Sequence, residues 1–494
     1  MTKPRKTDKI KKGGLFFLAG SLLFWLCSSA WAETYQVGPG KQYSSLGSVV
    51  GQLSPGDIVE VDGDESYSSG ISISRDGNAS NRITIKGIPV NGNLPVISGG
   101  SQFGFEVLGD YITIQGFEVT GASKAGIGIY SDEVIIRNCI IRDCPRDGIM
   151  GYGSGTGNVT VEYTEIYGCG RNGSPAAHQI YMATDESSHP GSVFRVQHCY
   201  LHDGSGGNNI KSRSERNEIY YSWVGTSALH SMELIGIDPA DNRSTSQGTA
   251  REDSDIVGCV VQVGSSMACA RIGGDGTGDT NGRYRFVNNS FVLPGRGDVI
   301  RMYDGSQTLE MHNNVIYNLS GASNTNILSD GNANWANGRQ VMGSNNWVQS
   351  GSRNIPSEWE GTIIGDDPGF VNEDNGDFTL ESNSPLVNAG NSDPGTFSSY
   401  PFPNPLWPVQ YVPPTSFEVN ALPLGRSNAS GNTDIGAYEY GYAVSVDYRA
   451  PGNNDKLKAG TYHLYDILGR VIGKKVDGKV SKAKGRRVLF PGMK

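Results

Sequence analysis

The chain has 494 residues, 18% of them charged, with 50 Asp and Glu against 41 Lys and Arg and a formal net charge of −9. The acidic balance of the chain argues against nucleic acid and against anionic membrane surfaces as partners. The 68 glycines and the short, evenly spread apolar clusters predict short strands joined by tight turns rather than disorder.

Residues 1–32 have the three parts of a secretory signal peptide. Six Lys and Arg lie between Lys3 and Lys12, an apolar run extends from Leu15 to Leu26, and residues 30–32 place alanines at the −3 and −1 positions of a cleavage site. The run is short for a membrane span, and an uncleaved anchor is the alternative. Cleavage would leave 35 basic and 49 acidic residues, a net charge of −14. We therefore predict a chain that is secreted or held at the cell surface, without a transmembrane span after cleavage.

Residues 42–53 predict a short amphipathic helix, followed by a turn at 54–57 and a strand at 58–61. The helix would cover the open edge of the first strands, which would otherwise promote aggregation.

The middle of the chain repeats one pattern, in which a strand of alternating apolar residues, a short bend and a second strand follow one another. The repeats lie at 112–119, 134–141, 159–166, 194–201, 256–261, 286–292 and 308–316. A turn and a third short strand follow, as at 126–130, 148–150, 179–182 and 209–212. Three strands per about 22–37 residues is the period of a β-solenoid.

Stacking the repeats predicts a column of mostly small side chains inside the first bend. Its members are Phe117, Cys139, Thr164, Cys199, Ser222, Cys259, Ser290 and Val315. Cys144 and Cys169 each follow their column member by five residues on adjacent repeats, about 4.8 Å apart, which is within reach of a disulfide. The sequence leaves open whether that bond forms.

The opening "PGDIVEV", the repeats and the closing "DPGFVN", "DFTL", "SPLVNAG" and "DIGAYEY" together resemble the secreted parallel β-helix superfamily. That group includes pectate, alginate and chondroitin lyases and mannuronan epimerases. The resemblance implies an all-β, right-handed parallel β-helix over residues 33–440, with an N-terminal capping helix. Residues 441–494 are richer in Lys and Arg and resemble a small C-terminal β module that sorts or anchors secreted proteins; a frayed tail is the alternative.

The third strands predict a row of outward side chains on successive repeats. Ile127, Ile149, Ile180, Ile210, Met232, Ala270 and Ile300 should point inward. The residues that follow them, Gly128, Met150, Tyr181, Lys211, Glu233, Arg271 and Arg301, should point outward. Tyr181 to Arg301 would span about 24 Å, enough for several sugar units.

This row contains the groups that a uronate lyase or epimerase needs, because both reactions remove a proton beside a carboxylate and need a base and a cation. We predict Lys211 as the base, with Arg213 and Arg271 holding the carboxylate. Tyr181, His178 and Glu233 complete the candidate catalytic residues, and Arg301, Asn209 and His230 are candidates for substrate binding. Asp203 and Asn208 are weaker candidates for calcium, since no spacing matches a defined calcium loop.

The leading hypothesis is a monomeric lyase that cleaves an acidic polysaccharide by β-elimination. An epimerase on the same scaffold and a non-catalytic glycan-binding protein or adhesin are the alternatives. A hydrolase ranks lower, because it needs paired carboxylates and only Glu233 stands clearly on this face.

Overall fold

The computed structural model describes residues 32–171, 174–236, 252–264, 267–275, 280–331, 333–426, 432–441, 462–465, 471–476 and 479–482. Residues 1–31 of the predicted signal peptide lie outside the described residues.

The chain winds around one axis and forms three parallel sheets, named A, B and C here. Each turn of the chain passes through the three sheets in order. In the described part of the chain sheet A has 13 strands: Thr34–Val37, Ile58–Asp62, Ile83–Ile88, Ile112–Gln115, Val134–Arg137, Val159–Glu162, Val193–Gln197, Arg216–Tyr220, Asp253–Val257, Arg283–Val287, Thr308–His312, Val341–Ser344 and Trp359–Glu360. Over the same residues sheet B has 12: Ser66–Ser68, Val96–Ser98, Glu118–Thr120, Ile140–Arg142, Glu165–Tyr167, Tyr200–His202, Trp223–Val224, Val260–Gln262, Ser290–Leu293, Val315–Asn318, Trp347–Gln349 and Ile363–Gly365. Sheet C, again counted on the described residues, has 10: Ile71–Ile73, Phe103–Val107, Ala125–Ile129, Asp147–Gly151, Ile180–Met182, Ile210–Ser212, Met232–Leu234, Ala268–Ile272, Gly297–Met302 and Thr325–Ser329. The predicted parallel β-helix is confirmed.

The core is a set of columns that run along the axis. Ile127, Ile149, Ile180 and Ile210 pair in register on successive strands of sheet C, and each is fully buried. Burial of such a side chain contributes about 1.5–3 kcal/mol. The alternation that predicted the strands is therefore the pattern that fills the core.

The predicted bend column is correct from Phe117 to Cys259 and wrong beyond it. Ser290 pairs with Val260, one position outside the column, and Val315 pairs with Ser290. Asparagines continue the column instead, at Asn289, Asn314 and Asn346. Asn314 Oδ1 accepts hydrogen bonds from the backbone N and Nδ2 of Asn289, both at 3.0 Å, and Asn346 Oδ1 accepts the same pair from Asn314. An amide satisfies both its own polar atoms and the backbone of the next turn, which a buried valine cannot do.

The predicted N-terminal helix is instead two short 3-10 helices, Leu46–Ser48 and Val50–Gln52. Gly47 and Gly51 each cost about 1 kcal/mol in an α-helix, and the β-branched Val49 and Val50 lower the propensity further. Leu46, Val49, Val50 and Leu53 are buried in the core. Both 3-10 helices contact the first strand of sheet C, so the segment still caps the end of the helix.

Cys144 and Cys169 are buried, free thiols close to each other on adjacent turns, and their Sγ atoms donate to the backbone oxygens of Arg142 at 3.6 Å and Ile141 at 3.8 Å. Their proximity is as expected from the sequence, and the disulfide is not formed in this structure.

After the last turn the chain folds back over sheets A and B. In this return segment, Phe370–Asn372 and Asp377–Leu380 form an antiparallel pair around the 3-10 helix Glu373–Asn375. Another 3-10 helix, Ala322–Asn324, lies earlier in the chain, between strands of sheets B and C. The ring of Phe378 stacks on Trp223 of sheet B with centroids 5.6 Å apart. Over sheet A, the backbone N of Leu406 donates to Asp255 Oδ2 at 3.1 Å. Among the described residues, the contacts of this return segment are with sheets A and B, and this segment leaves sheet C uncovered.

The C-terminal region contains an antiparallel three-stranded sheet of Tyr462–Tyr465, Val471–Val476 and Lys479–Lys482. In the described part of the chain, no helix is long and apolar enough to cross a membrane.

Candidate active site on the outer face of sheet C

The predicted outward row lies in register along sheet C. Gly128 pairs with Met150, Met150 with Tyr181, Tyr181 with Lys211, Lys211 with Glu233, Glu233 with Arg271, and Arg271 with Arg301. Side chains on successive turns lie about 4.8 Å apart, so the row is a linear series of neighbours. The structure thus brings together five of the predicted site residues: Tyr181, Lys211, Glu233, Arg271 and Arg301.

Glu233 is the centre of the charged part of the row. Its Oε2 lies 3.2 Å from Lys211 Nζ, and its Oε1 forms an ion pair with Arg271 Nη1. Burial alone would raise the pKa of the Glu233 carboxyl, but the charges of Lys211 and Arg271 outweigh burial and lower that pKa below its ordinary value. Glu233 therefore stays ionised and holds two cations side by side.

Each cation of the row also has a second neighbour. Lys211 Nζ lies 5.9 Å from the centre of the Tyr181 ring, and the Arg271 guanidinium lies 4.2 Å from that of Tyr303. Arg301 Nε donates to Asp298 Oδ2 at 2.7 Å. These contacts orient the cations before any ligand arrives, so less conformational entropy is lost on binding.

A second column flanks the row and was not recognised in the sequence as a unit. Asp147 Oδ1 accepts a hydrogen bond from the backbone N of His178 at 2.9 Å. His178 Nδ1 accepts from Asn208 N, Asn208 Oδ1 from His230 N, and His230 Nδ1 from Ala268 N, each at 3.0 Å. Each side chain thus caps the backbone of the next turn. Each member lies two residues before an inward apolar residue of sheet C, and this recurring position is the signal that could have revealed the column.

Both histidines of this column are neutral. Burial, followed by the charge of Lys211, lowers the pKa of His178 to about 3, and burial lowers the pKa of His230 to about 4. Because Nδ1 accepts a hydrogen bond in each ring, the hydrogen of the neutral ring is on Nε2. The two rings can therefore donate a hydrogen bond but are poor proton acceptors.

Two predicted site residues, Arg213 and Asn209, belong neither to the row nor to the flanking column. Arg213 follows the end of its strand, and its buried side chain donates to Gly236 O at 2.6 Å and to Asp275 Oδ2 at 2.5 Å. Strand alternation does not fix the direction of a side chain past Ser212, so the location of Arg213 on the face of Lys211 stays a prediction. Asn209 is fully buried; its Nδ2 donates to Gly225 O, because the chain bends before Ile210 and turns two successive side chains inward.

The two candidate calcium ligands belong to different hydrogen-bond groups. Asp203 has a side chain that is 79% exposed and pairs with His202 Nδ1 at 2.7 Å, whereas Asn208 Nδ2 donates to Glu233 Oε2 at 2.7 Å. Among the described residues, no group of three or more His, Cys, Asp or Glu side chains could hold a metal ion. Calcium therefore stays a prediction from the sequence.

An aromatic group precedes the charged part of the row. Phe103, Ala125 and Met150 form its buried base, against which Tyr130, Tyr152 and Tyr181 pack. Tyr152 and Tyr181 are stacked, with centroids 5.8 Å apart and an interplanar angle of 29°. Gly128 makes room for this group, since a Cβ there would lie 2.6 Å from the Phe103 ring. Of its rings only Tyr181 was predicted as a site residue.

A family match and the solved structure of one pectate lyase agree with the β-helix fold. Residues 69–235 match a family described as the right-handed beta helix region. The solved structure of pectate lyase Pel9A is 16% identical, covers 82% of this chain and 96% of its own, and has a TM-score of 0.52. An alginate lyase from Paenibacillus sp. str. FPU-7 is also 16% identical, covering 68% of this chain and 98% of its own with a TM-score of 0.31. No curated protein sequence matches the chain. The chain is a right-handed parallel β-helix protein.

Proposed function

From this β-helix fold and from the groups along sheet C, we propose that the chain is an exported lyase that cleaves an acidic, uronate-containing polysaccharide by β-elimination. The observation that carries the proposal is the row of Lys211, Glu233, Arg271 and Arg301 on the sheet that the return segment leaves open. Pel9A, which shares the fold, is named a pectate lyase. Export rests on the signal-peptide pattern of residues 1–32.

The row combines the two kinds of contact that an acidic glycan needs. Aromatic faces such as those of Tyr152 and Tyr181 pack against the apolar faces of sugar rings. Arginine binds a carboxylate through two parallel hydrogen bonds, which fixes the orientation of the sugar. Arg271 and Arg301 lie on adjacent turns, one strand spacing apart, so that they can contact one carboxylate or two successive ones.

In the proposed reaction the free amine of Lys211 removes the proton from C5 of the uronate. The electron pair forms a C4–C5 double bond, and the bond from C4 to the bridging oxygen breaks. Arg271 and Arg301 stabilise the charge that builds on the carboxylate. The hydroxyl of Tyr181 then protonates the leaving oxygen and recovers a proton from the Lys211 ammonium. Neutral His178 contributes a hydrogen bond from Nε2 rather than a proton.

The test is to incubate the mature protein with pectate, alginate, chondroitin and heparan, with calcium or with a chelator, and to follow the ultraviolet absorbance of the unsaturated uronate. We expect a rise with one glycan, and the chelator arm tests the predicted need for calcium. Parallel samples in D₂O, read by NMR, report exchange at C5. Deuteration without the chromophore would overturn the lyase and favour an epimerase.

One observation favours a non-catalytic glycan-binding protein as the second candidate. Lys211 Nζ lies 3.2 Å from Glu233 Oε2, in an ion pair that must open and whose ammonium must release a proton to solvent before Lys211 can act as a base. A binding protein would retain a glycan on the same face and would give neither chromophore nor exchange.

A further inference from the structure

A pocket of about 520 Å³ lies at the far end of the outer face of sheet C. It is lined by Arg296, Gly297, Asp298, Arg301, Asn324, Asn326, Arg353 and Asn354. Gly297, Asp298 and Arg301 belong to one strand of the sheet, and Asn326 belongs to the next. Arg353 forms a β-bridge with Asn326 and so extends the face by one more turn.

The lining is strongly cationic within an acidic chain. Three arginines face a single carboxylate, that of Asp298, and this carboxylate already accepts hydrogen bonds from Arg301 Nε at 2.7 Å and from Asn326 Nδ2 at 2.9 Å. Within the described residues, neither Arg296 nor Arg353 forms an ion pair, and both are exposed. Among the residues that the structure describes, two of the three positive charges of the pocket therefore have no ion-pair partner.

Amide groups complete the lining. Asn354 Nδ2 donates to Asn326 Oδ1 at 2.7 Å, and Asn326 in turn donates to Asp298. This chain of hydrogen bonds fixes the wall between Arg301 and Arg353. Each of these Nδ2 groups has a second hydrogen to donate, and such amides beside two arginines suit an anion with several acceptor oxygens.

The pocket continues the row of the proposed active site, because Arg301 belongs to both. Arg301 is three turns from Lys211, and Arg353 is two turns further, so that the pocket lies about 14–24 Å from the proposed base at 4.8 Å per turn. An extended glycan that binds at Lys211 would reach it several sugars from the cleaved bond.

We propose that this pocket is a subsite for an anionic group, a carboxylate or a sulfate ester, on a distal sugar of the same polysaccharide. The inference rests on the proposed function for the identity of the ligand. It makes chain length a determinant of affinity, since only a glycan that spans both places gains the contacts of Arg296 and Arg353.

The test is the double variant Arg296→Ala/Arg353→Ala, with Lys41→Ala/Lys86→Ala as the control. The control removes two lysines that pair with Asp62 and Glu60 beside sheet A, so that both variants lose two positive charges. Dissociation constants are measured by calorimetry with a long polyuronate, a long sulfated glycan and a short oligosaccharide. We expect the pocket variant to bind the long ligand that carries the recognised anion about tenfold more weakly and the short one unchanged. The control should bind all three as the unaltered protein does.

Any of three results would overturn the subsite. Binding affinity could fall equally in the two variants, it could fall equally for short and long ligands, or it could stay unchanged. The long ligand whose binding weakens identifies the anion as carboxylate or sulfate. The proposed function is scored separately, by the unsaturated product. If the pocket variant loses long-chain binding but the protein forms no unsaturated product, the lyase is overturned and the subsite is retained. If the protein forms the product but the pocket variant binds long chains as before, the subsite is overturned and the lyase is retained.

Discussion

The two halves of the outer face of sheet C share one backbone and differ in chemistry. From Phe103 to Tyr181 the outward groups are mostly aromatic or apolar, and from Lys211 to Arg301 they are charged. The inward column is the same in both halves, with Ile127 and Ile149 under the first and Ile210 and Met232 under the second. Packing accounts for the inward residues, and it does not account for the change outside.

Burying the groups of the charged half costs free energy of folding. Glu233 is only 4% exposed, and a buried ion pair gains little stability over apolar residues of the same size. Such a group is more readily explained by a function than by stability. The aromatic half does not require a function to explain it, because its rings stabilise the fold by burying apolar area. Its functional role depends on whether sugars bind there.

Among the changes that leave the proposed base in place, the largest effect should follow from Glu233→Gln, which removes the charge that holds Lys211 and Arg271 together. We expect kcat/KM to fall about 100-fold and the free energy of unfolding to fall by about 3 kcal/mol, as for a broken buried pair. Urea denaturation and initial rates check this. Glu60→Gln is the matched control, because Glu60 pairs with Lys86 on the solvent side of sheet A and should change the free energy of unfolding by less than about 1 kcal/mol. Equal effects of the two changes would contradict a special role for Glu233.

A smaller effect should follow in the aromatic half. Tyr152→Ala removes a ring that stacks on Tyr181 but leaves every charged group in place. We expect KM to rise about tenfold with kcat unchanged, because a contact made equally in the ground and transition states is lost. Tyr167→Ala, which removes a ring stacked on His202 of sheet B, is the control and should leave KM unchanged. A fall in kcat without a change in KM would instead place Tyr152 among the reacting groups.

The smallest effect concerns the column of side chains beside the charged half. His178 and His230 have pKa values lowered to about 3 and about 4, whereas an unfolded histidine titrates near 6.5. The unfolded chain therefore takes up these protons first, and the stability contributed above pH 6.5 is lost as the pH falls toward the folded values. The melting temperature should drop between pH 7 and pH 4.5.

The chain itself supplies the control for this acid sensitivity, since Asn208 forms the same backbone cap without a titrating ring. In the double variant His178→Asn/His230→Asn the drop in melting temperature should be smaller. An unchanged drop would show that other groups, such as buried His312, dominate the acid response.

Strict alternation along the strands made the row on sheet C predictable. The directions of the side chains at the bends could not be predicted in this way. Each turn stacks directly on the last, so spacing alone predicted the row from Tyr181 to Arg301. At a bend the period of two is lost, and nothing local decides which way Asn209 or Arg213 points. The prediction of Ser290 in place of Asn289 has another origin, an error of one residue in the register, because the bend has the same length in both turns.

The return segment illustrates a second limit. Its packing of Phe378 on Trp223 and of Leu406 on Asp255 joins residues more than 150 positions apart in the chain. No local pattern indicates which sheets it covers. The sequence therefore predicted the row but not the reason that sheet C is the open face.

The most direct test of the account is the rate of elimination by Lys211→Ala beside Lys86→Ala. Both lysines point outward from a sheet and pair with a carboxylate, but only Lys211 lies on the open face. On the glycan that gives the unsaturated product, we expect Lys211→Ala to lose at least about 1,000-fold in kcat, as for removal of a general base, and Lys86→Ala to keep its rate, with both variants folded by circular dichroism. Retention of elimination in a folded Lys211→Ala protein would contradict the assignment of the base and of the active site on sheet C.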